Sequence, residues 1–482
     1  MDNLSTTLGN RGYTVLKEEL NTSVLNNIRR DLTVKPFINT DYGAEANPFP
    51  IYAESKRKLY LPRYYGYHNF GKPVLNKLSK GDDIDIEFKA NLKPKQEPIV
   101  KAYLDATKNA GGGIIAVPCG YGKTVIALYI AAMLKKKTIV IVHKEFLVNQ
   151  WKERIGQFLP DARVGRIQGN VVKIDDKDIV IGMLQSISMR EYPEDTFKSF
   201  GLVIYDECHH LGAEVFSKSL SKTICNYTLG LSATPKRTDG LSKVFEWSLG
   251  KIVFSIKKRE QEDVDVKIIN YFDSNPEYSK EIVNFKNKPS MATMINNICQ
   301  YQPRTKFICE EILRCCEDER KILLLSDRRD HLKDIKTILD DTQDKYTTGY
   351  YLGGMKARDL EETEECDVIL GTFIMASEGF DCKYPLNTII LSSPKTNIEQ
   401  SVGRILRQDP NKRKKVPLII DMVDTFSMFT KQGAKREKFY NKNNYNITKY
   451  ELTNGEFKQL DYQPECKKKG KKNKTVELDF LE

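Results

Sequence analysis

Two stretches of this chain hold residues that can work on a phosphate anhydride. The first is Val117-Pro-Cys-Gly120-Tyr-Gly122-Lys123-Thr124. A glycine-rich turn closed by Lys-Thr offers backbone N–H groups and a helix N-terminus to an anion. Its lysine can reach the outer phosphates, and its threonine hydroxyl suits Mg²⁺. Gly120, Gly122, Lys123 and Thr124 are therefore candidate phosphate ligands. The fullest form of the pattern has a further glycine where Val117 stands, so the turn alone also suits an ordinary strand-to-helix connection. The second stretch, Gly201-Leu-Val-Ile-Tyr-Asp206-Glu207-Cys208-His209-His210, narrows that choice. Side-by-side carboxylates at a strand end are costly unless a cation or substrate uses them. Asp206 is placed to hold the Mg²⁺, and Glu207 to orient and deprotonate an attacking water. Cys208, His209 and His210 invite a zinc reading, but neighbours at a strand end point apart and no second Cys/His pair stands at finger spacing.

Both stretches follow apolar runs of strand length. From about 89 to 275 such runs (113–117, 138–142, 178–182, 201–205, 229–232) alternate with helical segments such as 123–135 and 145–157. That alternation predicts βαβ units and a parallel sheet, with the phosphate-handling residues at the carboxyl ends of strands, where doubly wound sheets bind ligands. Residues 276–300 are polar and irregular and read as a connection. The alternation resumes over 301–445, with helix 301–316, strand 321–326, helix 330–340, strands 367–371 and 387–392, helix 398–407 and strand 416–421. The fold class is α/β: two doubly wound parallel-sheet lobes behind a small α+β amino-terminal domain, residues 1–88. That domain has a helical pattern near 16–32 and then an aromatic, strand-like stretch. Its Tyr60, Tyr64, Tyr65, Tyr67, His68 and Phe70, interleaved with Arg63 and Lys72, suit either base stacking or packing in a small β-rich domain.

At this point the chain resembles the superfamily 2 helicases. Asp206-Glu-Cys-His209 is the DExH form of motif II, and other motifs follow the family's order. Leu92-Lys-Pro-Lys-Gln96 resembles the Q motif. Ile139-Val-Ile-Val-His143-Lys144 with Leu147-Val-Asn-Gln-Trp151 resembles motif Ia, and Ile179 to Ser186 the next strand-end motif. Leu231-Ser232-Ala-Thr234-Pro235 resembles motif III, Leu323-Leu-Leu-Ser326-Asp327-Arg328 motif IV, Ile369 to Asp381 motif V, and Gln400-Ser-Val-Gly403-Arg404-Ile-Leu-Arg407 motif VI. The wording is nearest the XPB/UvsW-like branch, especially its members from large cytoplasmic DNA viruses, among them the poxvirus transcript-release helicase. Tyr60-Leu-Pro-Arg-Tyr-Tyr-Gly66, Phe70-Gly-Lys-Pro73 and Val416 to Asp424 carry that likeness. The Arg-Glu-Asp triplet that XPB proteins use in strand separation is missing.

The resemblance implies two RecA-like lobes with ATP in a cleft between them. Gln96 would read the adenine; Gly120, Gly122, Lys123 and Thr124 would surround the phosphates; Gly379 and Asp381 would join them. Thr124 and Asp206 would hold Mg²⁺. Lys123, Asp206, Glu207 and Gln400 would act in hydrolysis, along with Arg404 and Arg407, which lie three apart and so share one side of a helix. His209, Ser232 and Thr234 would couple the nucleotide to the track. Lys144, Gln185, Ser186, Arg328 and Thr372 would contact a nucleic-acid backbone without reading sequence. The implied activity is an ATP-dependent motor moving 3′ to 5′ on DNA, acting as a monomer in viral transcript release, repair or recombination. Its partners would include viral transcription machinery, and its place a cytoplasmic viral factory or virion. An RNA helicase, a duplex translocase and a binding scaffold without ATPase activity are the alternatives.

Composition agrees with a motor. At 482 residues the chain suggests about three domains. A net charge of +11 favours a polyanionic partner, because neutralising phosphates supplies sequence-independent affinity. No apolar stretch approaches the ~20 residues of a membrane span, and the N-terminus lacks a signal-peptide pattern, so an intracellular protein without a membrane partner is expected. The ten cysteines are scattered without a C-x-x-C spacing, which predicts reduced thiols. The closing segment from 446 reads as a tail. Its basic run, Lys467 to Lys474, precedes an acidic-apolar end; solvated disorder is expected, with nucleic-acid affinity, nuclear import or partner docking as alternatives.

Overall fold

Strands buried on both faces read as continuous apolar runs, because each side chain in the alternation meets a helical layer. The protein has two such parallel sheets, in separate compact units, Met1–Arg259 and Glu260–Glu482. The structure, a computed structural model, describes residues 4–37, 47–118, 120–233, 239–256, 263–284, 287–342, 344–378, 380, 382–406, 408 and 410–462.

In the first unit the strand Thr138–Val142 lies between Ile179–Met183 and Leu202–Tyr205, and the sheet continues through Tyr227–Ser232 and Gly112–Ala116, all parallel. Alternate residues feed opposite cores. Val140 and Val142 pack with the helices Glu97–Ala110, Lys123–Leu134 and Glu145–Phe158. Ile139 and Ile141 pack with Leu184, Ile187, Leu211, Phe245 and Leu249 on the other face. Each expected strand and helix of this lobe forms, its bounds shifted by at most two residues.

The amino-terminal region forms a five-stranded sheet around Tyr13, Val15, Leu59 and Leu61. Its aromatic stretch is not a strand: after Lys58–Leu61 and Pro62 the chain turns into the helix Arg63–Phe70. Gly66 lets this helix lie on the Tyr13 ring, where a Cβ would come within 2.1 Å of it. Tyr65 meets Trp247 edge-on at 5.1 Å, and Tyr67 and Phe70 pack on Tyr13, so the packing alternative describes these rings. Buried Arg63 donates to the carbonyls of Cys225 and Asn226, which fastens the region to the first sheet.

Three expected boundaries are corrected by the second unit. The strand Asp265–Phe272, placed by sequence in the first lobe, runs parallel between Leu418–Asp424 and Asn446–Thr453 in the second sheet. Residues 276–300 are no bare connection, since the helix Met291–Gln300 buries Met294, Ile295, Ile298 and Cys299. The polar composition belongs to residues 276–290, and the spacing of those four gives the helix its apolar face. Residues 446–460 are not tail: Asn446–Thr453 and Glu456–Leu460 form a hairpin on the sheet edge. The basic run and the acidic-apolar end lie outside the described residues. Among the described residues no helix is long and apolar enough to cross a membrane.

This unit also buries charge. Arg304 and Asp424, both fully buried, form a two-pronged pair at 2.8 and 3.0 Å. Tyr278 donates to the same carboxylate at 2.7 Å, and Arg304 donates to Ser392 O. Removing one member strands the other, whereas removing both replaces a pair by packing. Arg304→Met is expected to cost about 3–5 kcal/mol, and adding Asp424→Leu to restore most of it; urea unfolding of the three proteins checks this.

Candidate functional site

The strand Gly112–Ala116 ends in the glycine-rich turn, and the helix Lys123–Leu134 starts directly after it. Gly120 and Gly122 have φ of +91° and +77°, a region open to glycine without strain. A Cβ on Gly120 would meet nothing, so the turn is open there, whereas one on Gly122 would come within 2.5 Å of the Gln96 amide. Val117 replaces a consensus glycine without loss, since its side chain lies in the core and its N–H is bound to Ser232 O. Gln96 is buried, and both ends of its amide are engaged: Oε1 accepts from Lys93 N and Nε2 donates to Tyr121 O, each at 2.9 Å. The structure thus places Gln96 as a clamp on the phosphate turn.

Asp206 and Glu207 follow the strand Leu202–Tyr205. The Asp206 N–H donates to Ile141 O, its Oδ1 accepts the Glu207 N–H, and its Oδ2 accepts the Trp151 indole N–H at 2.9 Å. Glu207 Oε1 pairs with Lys123 Nζ at 2.8 Å, and its Oε2 lies 3.4 Å from His209 Nδ1. Burial, then the neighbouring Glu207 charge, push the Asp206 carboxyl up to about 6. Burial also raises Glu207, but Lys123 and His209 outweigh it and hold this group well below the usual carboxylate range. A hard divalent cation prefers oxygen ligands and would offset the burial that raises Asp206, so this carboxylate is chemically suited to one.

His209 Nδ1 also lies 3.1 Å from Ser232 Oγ, which brings two of the expected coupling residues together; Thr234 lies outside the described residues. The His210 ring stands between those of His209 and His143, at centroid distances of 4.4 and 4.0 Å. Burial and the neighbouring His210 lower His143 to about 3, so its imidazole is neutral in ordinary buffers. Gln185 donates to His143 O at 2.7 Å, and Lys144 caps the helix Glu145–Phe158, so these two candidates share adjoining strand ends. Ser186 Oγ accepts from Gly169 N. Sequence reasoning assigned no role to His143 or Trp151. Their places within motif Ia were visible, but their contacts with the motif II segment exist only in the folded sheet.

In the second unit the Arg328 guanidinium is tied to Asn296 and to Ala292 O at 3.0 Å, and the Thr372 hydroxyl accepts from Met375 N. The expected helix 398–407 is corrected: the α-helix is Glu399–Val402, and the chain continues in turns beyond Gly403. Arg404 is buried, its Nε donating to Ala376 O at 2.6 Å, so it braces the helix Phe373–Glu378 within motif V. Gln400 is half-buried. Arg407, Gly379 and Asp381 lie outside the described residues.

Residues 89–237 match the family described as "Type III restriction enzyme, res subunit". Over 463 residues the chain is 35% identical to "Putative ATP-dependent RNA helicase L396" of Acanthamoeba polyphaga mimivirus, covering 94% of this chain and 88% of that protein. It is 37% identical over 169 residues to "DNA 3'-5' translocase XPB2" of Sulfurisphaera tokodaii, covering 35% and 36% of the two chains. Among solved structures, the fragment titled "a putative HsdR subunit of a type I restriction enzyme" from Vibrio vulnificus aligns with a TM-score of 0.54 at 16% identity, covering 78% of this chain and 71% of that one. At that identity the likeness is one of fold.

The Lys123–Glu207 pair sets an expectation. A phosphate must compete with Glu207 for Lys123, so Glu207→Gln should bind a nucleoside triphosphate at least as tightly as the native protein while hydrolysing it ~10²–10⁴-fold more slowly. Lys123→Ala should lose affinity. Titration with a fluorescent triphosphate analogue, beside phosphate release, checks both.

Proposed function

Because this chain belongs to the superfamily 2 helicases, in the group carried by large DNA viruses, we propose that it is an ATP-driven motor that tracks along DNA. The observation that carries this reading is that the phosphate turn, the Asp206–Glu207 pair and the His143–Lys144 and Gln185 strand ends all stand on one parallel sheet. ATP consumption and strand engagement are thus joined by a rigid element.

Phosphoryl transfer is governed by positioning and charge. Lys123 would leave Glu207 for the γ-phosphate, and the freed carboxylate would take the proton of the attacking water. Thr124 and Asp206 would hold Mg²⁺, whose charge neutralises the phosphates. Gly379, Asp381, Gln400, Arg404 and Arg407 are assigned to the nucleotide by their motifs alone. An adenine contact by Gln96 requires it to exchange either its bond to Tyr121 O in the phosphate turn or its bond from Lys93 N.

DNA as the track is supported by the 169-residue match to a protein named as a DNA translocase and by the +11 charge. A second reading, RNA as the track, is favoured by the name of the mimivirus relative. Transcript release or DNA repair in a viral factory or virion, by a monomer working with viral transcription machinery, is proposed from the viral resemblance. The test is ATP hydrolysis with no polymer, single-stranded DNA, duplex DNA or RNA, beside Glu207→Gln. Stimulation by DNA, lost in the variant, is expected. Stimulation mainly by RNA would transfer the track to RNA, and a rate that no nucleic acid changes would overturn the motor.

A further inference from the structure

Besides the Glu207 N–H, two bonds hold Asp206, and both come from one strand–helix unit. Its N–H binds Ile141 O, in the strand Thr138–Val142, and its Oδ2 takes the indole N–H of Trp151, in the helix Glu145–Phe158. His143 and Lys144 are the joint between that strand and that helix. Trp151 stands two turns beyond Lys144, about 10 Å along the axis. The helix is held against the sheet by Leu147, Val148, Trp151 and Ile155, so it shifts as a body rather than bending. From the other side, Gln185 fixes the joint by donating to His143 O.

We propose that Trp151 is a positioning residue through which the grip on a nucleic-acid strand at Lys144 sets the aim of the Asp206 carboxylate. The inference rests on the motor reading above. A phosphate held at Lys144 pulls on the first turn of the helix; the helix carries the indole, and the indole N–H carries Asp206 Oδ2. The opposite influence follows by reciprocity, because a site that biases a shared element is biased by it in return. A buried indole N–H always needs an acceptor, so the bond could exist for packing alone, and the test must separate packing from transmission.

The chain has two tryptophans, Trp151 and Trp247. Trp247 packs on Tyr65, far from the motif residues in its contacts, so Trp247→Phe leaves Trp151 as the sole indole reporter. In that protein, saturating single-stranded DNA without nucleotide should shift the Trp151 emission, with binding followed separately by the anisotropy of a labelled oligonucleotide. Unchanged emission at saturation would overturn the proposal. In a second protein Trp151→Phe keeps the ring and removes the donor. The ratio of the DNA-stimulated to the unstimulated rate should fall about tenfold or more, as expected for a lost hydrogen bond to a charged group. A Trp151→Phe protein that keeps full stimulation would overturn the inference and leave the motor standing. A native protein that no nucleic acid stimulates would overturn the motor, and the inference with it. If Trp151→Phe fails to fold, the emission measurement still decides.

Discussion

Two carboxylates at consecutive positions, Asp206 and Glu207, have to be accommodated where the sheet excludes water, and most of the first unit's active end is arranged around that demand. Left alone, they would raise each other's proton affinity until one went neutral. The fold divides the burden unequally. Glu207 receives the Lys123 ammonium and the His209 ring in contact, whereas Asp206 feels the Lys123 charge without pairing to it and is bonded by the Trp151 indole and its neighbour's N–H. One group is therefore firmly ionised and the other under-compensated. That asymmetry matches a base beside a cation ligand, and it arises from the partners' positions rather than from any difference between Asp and Glu.

The partners are in reach because parallel strands finish together. Asp206 N–H is bound to Ile141 O, one residue before the end of the neighbouring strand, so motif II and the Lys144 joint are held in register by the sheet's own ladder. On the other flank Val117 N–H binds Ser232 O, which registers the phosphate turn against motif III. His209 and Ser232, two residues expected to couple, meet as a consequence of this alignment, at 3.1 Å.

Much of this was legible from residue types alone. Strands buried on both faces announce themselves as apolar runs, and the phosphate turn and carboxylate pair are local in sequence, so lobe architecture could be read directly, as could the two segments whose Lys123 and Glu207 meet at 2.8 Å. Three kinds of feature could not. Helix Met291–Gln300 follows a polar stretch, 276–290, whose composition masks it when the whole segment is averaged. The strand Asp265–Phe272 looks continuous with what precedes it, and only its pairing with Leu418–Asp424 and Asn446–Thr453 moves it to the second sheet. The clamp by Gln96, the brace by Arg404 and the indole bond of Trp151 depend on side chains distant in sequence, for which spacing carries no signal.

One backbone detail explains why both acidic residues can serve the same end of the sheet. Successive side chains on a strand point to opposite faces. Continued extension past Asp206 would therefore send Glu207 away from the phosphate turn. Glu207 instead takes a φ of +47°, a left-handed conformation that costs a non-glycine residue about 1–2 kcal/mol. The reversal swings its carboxylate to Lys123 while Asp206 keeps its hold on Ile141 and Trp151. A glycine here would adopt the turn without strain but would bring no carboxylate. The strain persists because the Lys123 ion pair and the helical turn Cys208–Gly212 over-determine the geometry. A phosphate that drew Lys123 away would remove one of those constraints and would free the Glu207 carboxylate, the proposed base, at the head of the turn that leads to His209.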